Sequence, residues 1–162
     1  MEIYRVPRRE VLVRILVEDG RTLEGVLFTA ESGAGGYPED VLQHLNHSDE
    51  GFVPLLQREE SFLLNKAGIV WVQVAGSSAM EVRDETGAGR TVPVVLSLAG
   101  GTSIAGSLVI VMPLERSRAL DYLNATGTFV PVFGDGTATL VQRRFIVTVR
   151  CGDETEPDSD RS

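Results

Sequence analysis

Phe-Val-Pro-Val at residues 129–132 repeats Phe-Val-Pro-Leu at residues 52–55, and the residues around both copies match as well. The offset of 77 residues continues without a gap to the end of each copy, while further upstream it changes only in loops. Matched pairs at offsets of 77, 78 and 81 are Val72 and Val149, Asn46 and Asn124, and Gly20 and Gly101. The chain is therefore predicted to contain two copies of one small fold.

The length of 162 residues divides naturally between these copies, which we call the first and second units. A domain of about 60–70 residues, the size of one unit, buries only about 60% of the surface that its unfolded chain exposes. The units are therefore expected to pack together as a pseudo-dimer about a pseudo-twofold axis. The predicted divisions are an N-terminal arm at 1–10, the first unit at 11–74, a linker at 75–91, the second unit at 92–150 and an acidic disordered tail at 151–162.

Alternation of apolar and polar side chains predicts the strands of the first unit. Residues 11–17 place branched apolar side chains on one face, and Asp19-Gly20 then predicts a type I′ hairpin turn. The second strand is expected at Thr22–Thr29, bent at Gly25. The three later strands are expected at Phe52–Leu56, Ser61–Leu64 and Ile69–Val74, and the final strand of the second unit at Phe145–Arg150.

A short helix is predicted between the second and third strands of each unit, at Glu39–Asn46 and at about Ser117–Asn124. Asn46 and Asn124 are expected to cap these helices, because asparagine tolerates left-handed backbone geometry. Pro54 cannot donate a backbone hydrogen bond and is expected at a sheet edge or a bulge. Together these patterns predict an all-β protein with short helices.

Charge and cysteine content limit the classes of partner. The net charge is −8, of which five acidic residues and one arginine in the tail supply −4. An acidic body disfavours nonspecific nucleic-acid binding. The single cysteine, Cys151, cannot form an intramolecular disulfide, and the longest apolar run, Leu108–Leu114, is too short to span a membrane. We therefore expect a cytoplasmic protein without membrane association.

Five strands, a glycine in the second strand and a tight turn before the last strand resemble Sm and Hfq-like small barrels, which belong to the SH3-like architectures. In that turn Lys66 matches the family's Tyr-Lys-His signature, whereas Asn65 and Ala67 replace its tyrosine and histidine. The resemblance implies two tandem barrels and RNA binding through Lys66, with Arg143 and Arg144 at the corresponding turn of the second unit.

The arm and the first loop are similar to PilZ barrels, which bind cyclic di-GMP. Arg8, Arg9 and Arg14 stand where that family has an Arg-x-x-x-Arg element, and residues 30–35 supply its serine and glycine, although Ala30 replaces the acid or amide. Residues 116–124 with the second Phe-Val-Pro resemble an uncharacterised bacterial domain, which brings no function with it.

Other candidate sites have weaker support in the sequence. Trp71 has no matched aromatic and is expected to pack between the units or to mark a partner surface. One helical face carries Asp40, His44 and His47. Such a set is more commonly a solvated helix surface than a metal site, so no metal or other cofactor is predicted. No paired nucleophile and base occur, so no catalytic residue is predicted.

The repeated residues are glycines, valines, prolines and asparagines, which build a fold rather than a reaction centre. The leading hypothesis is therefore a non-catalytic protein-interaction or assembly module with a protein partner or self-association. The alternative is binding of RNA or cyclic di-GMP through the cations named above, and an enzyme comes third.

Overall fold

The computed structural model describes residues 8–30, 37–47, 49–75, 90–110, 119–125, 127–134 and 136–152. These residues form ten antiparallel strands in one open sheet, two α-helices and two 3-10 helices, which confirms an all-β protein with short helices. Residues 1–7 of the predicted arm, 76–89 of the linker and 153–162 of the tail lie outside the described residues. Arg8–Glu10 belong to the first strand rather than to an arm.

In the described part of the chain, each unit contributes five strands, one α-helix and one 3-10 helix. The first unit contains β1 (Arg8–Val17), β2 (Thr22–Ala30), α1 (Tyr37–His47), β3 (Phe52–Gln57), β4 (Glu60–Asn65), a 3-10 helix (Lys66–Gly68) and β5 (Ile69–Ala75). The second unit contains β6 (Arg90–Leu98), β7 (Ser103–Ile110), α2 (Ala119–Ala125), β8 (Phe129–Gly134), β9 (Thr137–Gln142), a 3-10 helix (Arg143–Phe145) and β10 (Ile146–Cys151).

The order of strands across the sheet is β10-β6-β7-β8-β9-β5-β1-β2-β3-β4. Both units therefore arrange their strands in the same internal order, with the last strand beside the first. Matched backbone hydrogen bonds also recur: the Lys66 N–H donates to the Gly51 carbonyl and the Arg143 N–H to the Thr128 carbonyl, both at 2.8 Å. The sheet ends at β4 on one side and at β10 on the other.

Glycine permits a close approach between the second and third strands of each unit. A Cβ atom at Gly25 would lie 2.6 Å from the Leu56 carbonyl oxygen, and one at Gly106 would lie 2.7 Å from the Phe133 carbonyl oxygen. Pairing between β2 and β3 is confined to Val26 and Leu56. Pro54 lies in β3 without a partner on β2, where its missing N–H costs no ladder hydrogen bond.

The first hairpin does not form the predicted type I′ turn. That turn needs positive φ at both central residues, but Gly20 (φ 95°) has it and Asp19 does not. The Gly20 N–H instead donates to the Val17 carbonyl at 2.9 Å, and Gly101 donates to Leu98 at 3.1 Å in the matched hairpin.

Two buried apolar clusters form the core, and each crosses from one unit into the other. The first cluster fills the first unit and includes Phe129, Phe133 and Leu140 of the second. The second cluster fills the second unit and includes Val70 of the first. Within the described residues, no helix is long and apolar enough to cross a membrane.

Candidate functional site

The two units join along β5 and β9, a contact that we call the seam. The strands are antiparallel, with Trp71 opposite Val141 and Val74 opposite Ala138. The fifth strand of one unit thus pairs with the fourth strand of the other. A twofold axis would pair equivalent strands, so the predicted pseudo-twofold relation is wrong and the contact is head-to-tail.

Trp71 lies on the seam strand, in register between Leu16 of β1 and Val141 of β9. Its partly buried side chain packs against the second cluster, whose residues lie mainly in the opposite unit. The matched residue of the second unit, Thr148, is exposed, because no strand among the described residues lies beside β10 on that side.

The buried side chain of Gln142 fastens one end of the seam. Its amide nitrogen donates to the Ile69 carbonyl at 2.6 Å and to the Lys66 carbonyl at 3.1 Å. A buried carbonyl that loses its hydrogen-bond donor costs folding free energy. The Gln142 amide therefore stabilises the seam.

Asn46 joins the units through the backbone of β8. Its side-chain oxygen accepts from the Phe129 N–H at 2.7 Å, and its nitrogen donates to the Phe129 carbonyl at 3.2 Å. The residue lies within α1 and has no positive φ, so the expected left-handed cap is wrong. The recurrence of asparagine at position 124 singles out this position in the sequence, but it predicts a cap and does not identify the Phe129 backbone as the partner.

The seam brings the two 3-10 helices together, and with them Lys66, Arg143 and Arg144. The Arg144 guanidinium donates to the Ala67 carbonyl at 3.3 Å, lies 3.4 Å from a Glu18 carboxylate oxygen and stacks on the neighbouring Phe145 ring. Arg144 is therefore paired across the seam with Glu18.

The cations of the predicted cyclic di-GMP element are not brought to one site. Arg9 lies 2.7 Å from the buried Asp40 carboxylate, and Arg14 lies 3.7 Å from Glu24 on the surface. The side chain of Arg8 lies outside what the structure describes. Residues 31–36 of the accompanying loop are likewise outside the described residues.

The Asp40 carboxylate that pairs with Arg9 belongs to the helical face that also carries His44 and His47. Asp40 is buried, whereas His47 is exposed. Within the described part of the chain, no group of three His, Cys, Asp or Glu residues is placed to hold a metal ion.

The β4 end of the sheet exposes residues whose counterparts are covered at the seam. Phe52 is 55% exposed, whereas its match Phe129 is 1% exposed. Leu63 is 70% exposed, whereas its match Leu140 is fully buried. Along β4 only Leu64 is buried, but five of the six residues of β9 are buried. The burial of β9 at the seam therefore indicates which residues of β4 a neighbouring strand would cover.

The β10 end shows the converse difference. Val147 is 65% exposed, whereas its match Val70 is buried by β9 and its surroundings. Four of the seven residues of β5 are buried, but none of the six residues of β10. Leu120 on α2 is also exposed, whereas its match Leu42 on α1 packs against the first cluster.

Comparisons of the chain with protein-family models, with curated proteins and with solved structures found no match. Among the described residues, the two sheet ends combine exposed apolar side chains with strand edges that face no further strand.

Proposed function

We propose that this protein is a non-catalytic assembly module of two tandem Sm-like small barrels that binds protein through the β4 and β10 ends of its sheet. One observation carries the proposal: positions covered at the seam are exposed at the ends. Of the six exposed large hydrophobic residues among those described, Phe62, Leu63 and Val147 lie on β4 or β10, and Phe52 lies on β3 beside β4. The module would act in the cytoplasm without a cofactor.

The chemistry of both ends suits strand addition, in which a polypeptide pairs with an open sheet edge. Edge strands are usually protected by charged residues, by proline or by a covering segment. Beside the charged Glu60 and Arg150, β4 also presents Phe62 and Leu63, and β10 presents Val147. Backbone groups supply hydrogen bonds to the added strand, while the apolar side chains supply burial.

Photo-crosslinking tests this proposal. A benzophenone amino acid replaces Leu63 or Val147 in cells, and the same group at Leu12 serves as the control because that residue is equally exposed. Adducts with polypeptide from both ends, identified by mass spectrometry and missing at Leu12, would support the proposal. The proposal fails if neither end gives a protein adduct.

A second candidate function is binding of RNA or cyclic di-GMP, favoured by the contact at the seam between the two 3-10 helices that carry Lys66, Arg143 and Arg144. Both ligands would be titrated into the purified protein at low and high salt. Binding that weakens with salt and with the double change Lys66→Ala and Arg143→Ala, but not with Arg90→Ala, would support this function. Salt-independent or undetectable binding would exclude it.

A further inference from the structure

We propose that the partner at both ends is another copy of this chain, with β10 of one copy added to β4 of the next. This inference rests on the proposed function and specifies its partner. The pairing would repeat the β5–β9 seam, because β10 matches β5 and β4 matches β9. The chain would thus use one contact twice, once within itself and once between copies.

The internal seam fixes the register of the contact between copies. Shifting each seam pair by 77 residues places Thr148 opposite Leu64, Val149 opposite Leu63 and Arg150 opposite Phe62 of the next copy. The same shift places Cys151 opposite Ser61. Since the side-chain direction alternates along a strand, a slip by one residue would turn each side chain to the opposite face.

The helix contact transfers in the same way. Asn46 of the first unit binds the Phe129 backbone of the second. In the next contact Asn124, which is exposed on α2, would bind the backbone of Phe52 in the following copy. This would cover Phe52, whose exposure in the single chain contrasts with the burial of Phe129.

Charge also favours this register. Arg150 would lie diagonally from Glu60 on the same face of the extended sheet, within reach of a long side chain. Pairing β4 with β4, or β10 with β10, would not bring Arg150 to Glu60. It would also separate Asn124 from Phe52, so the head-to-tail arrangement is the one that satisfies both ends.

The contact between copies would be weaker than the internal seam in two places. Asn65 replaces Gln142 and is one methylene shorter. In the contact between copies, Ala67 stands where the internal seam has Arg144, and Ala99 stands where it has Glu18, so that ion pair has no counterpart. Self-association should therefore depend on protein concentration, whereas the internal seam should not.

Cysteine crosslinking tests the register. Ser61→Cys, placed opposite the native Cys151, should give disulfide-linked chains longer than dimers on mild oxidation, joined by 61–151 links in peptide maps. Both positions are exposed in the single chain. Ser103→Cys is the matched control, since this exposed serine lies away from both ends. A map without 61–151 links would overturn the register.

Lysine variants test the head-to-tail direction. Leu63→Lys and Val147→Lys alter exposed residues, so each chain should fold, but each would bury a charge in the contact between copies. Each variant alone should scatter light as a 17.5 kDa monomer, with a dissociation constant raised by about 100-fold or more. An equal mixture should form dimers and nothing larger, because one β10 and one β4 remain intact. Leu12→Lys should leave assembly unchanged.

Monomeric wild-type protein at all concentrations, or a mixture of the two variants that fails to dimerise, would overturn this inference. In either case, crosslinks from Leu63 and Val147 to a different protein would leave the proposed function standing. The failure of the inference can therefore be distinguished from that of the function.

Discussion

At the scale of single residues, the sequence repeat places identical side chains in different surroundings. Phe52 and Phe129 match, yet one is exposed and the other buried, because a second unit covers only one of them. Asn46 and Asn124 match as well, and the cap expected for both was wrong at Asn46, whose amide binds a distant strand. A local pattern identifies a helix end, but it does not identify the strand that folds against it.

Asn46→Ala should lower the free energy of unfolding by about 1–3 kcal/mol, because the Phe129 backbone would lose both partners in a partly buried site. Asn124→Ala should change it by less than about 0.5 kcal/mol in monomeric protein. Urea unfolding of both variants in the Val147→Lys background checks the comparison. Equal losses from both changes would contradict the assigned role of Asn46.

At the scale of elements, alternation of apolar residues predicted the strands to within a few residues, since each strand has one face in a core. The helix at Tyr37–His47 likewise extends the predicted one by a few residues. The hairpin type was wrong because Asp19-Gly20 is compatible with more than one turn. The pairing of β5 with β9 was not predictable, since the backbone of an edge strand can pair with many partners.

β4 and β9 should differ in amide hydrogen exchange although they match in sequence position. In the monomeric Val147→Lys protein, amides of β9 that face β5 should be protected, whereas the outward amides of β4 should exchange within seconds to minutes. Addition of Leu63→Lys protein, whose β10 is intact, should protect β4. Persistent rapid exchange at β4 in that mixture would argue against strand addition.

At the scale of the whole molecule, the seam makes one continuous sheet from two units, and both apolar clusters cross it. The two units should therefore unfold together. Separate units joined by a linker would each need a complete core, but the first cluster depends on Phe129, Phe133 and Leu140 of the second unit. The net charge of −8 opposes nonspecific binding of nucleic acid to the molecule as a whole.

Gly106→Ala, a change in the second unit, should destabilise the first unit equally. Its Cβ would clash with the Phe133 carbonyl and lower the free energy of unfolding by about 1–3 kcal/mol. Fluorescence of Trp71, the single tryptophan, and circular dichroism should report the same shifted transition. Gly51→Ala has open space around it and is the control. A Trp71 transition that stays at the wild-type midpoint would show that the units unfold independently.

The head-to-tail seam has a consequence for how an assembly of this chain would respond to dilution. The two strands that meet inside one polypeptide are tethered, so their local concentration stays high however dilute the protein becomes. The proposed contact between copies has no tether, and it would open first as the protein is diluted. The same geometry would then provide a permanent joint within the chain and a reversible joint between chains, and assemblies would grow and shrink in steps of two units.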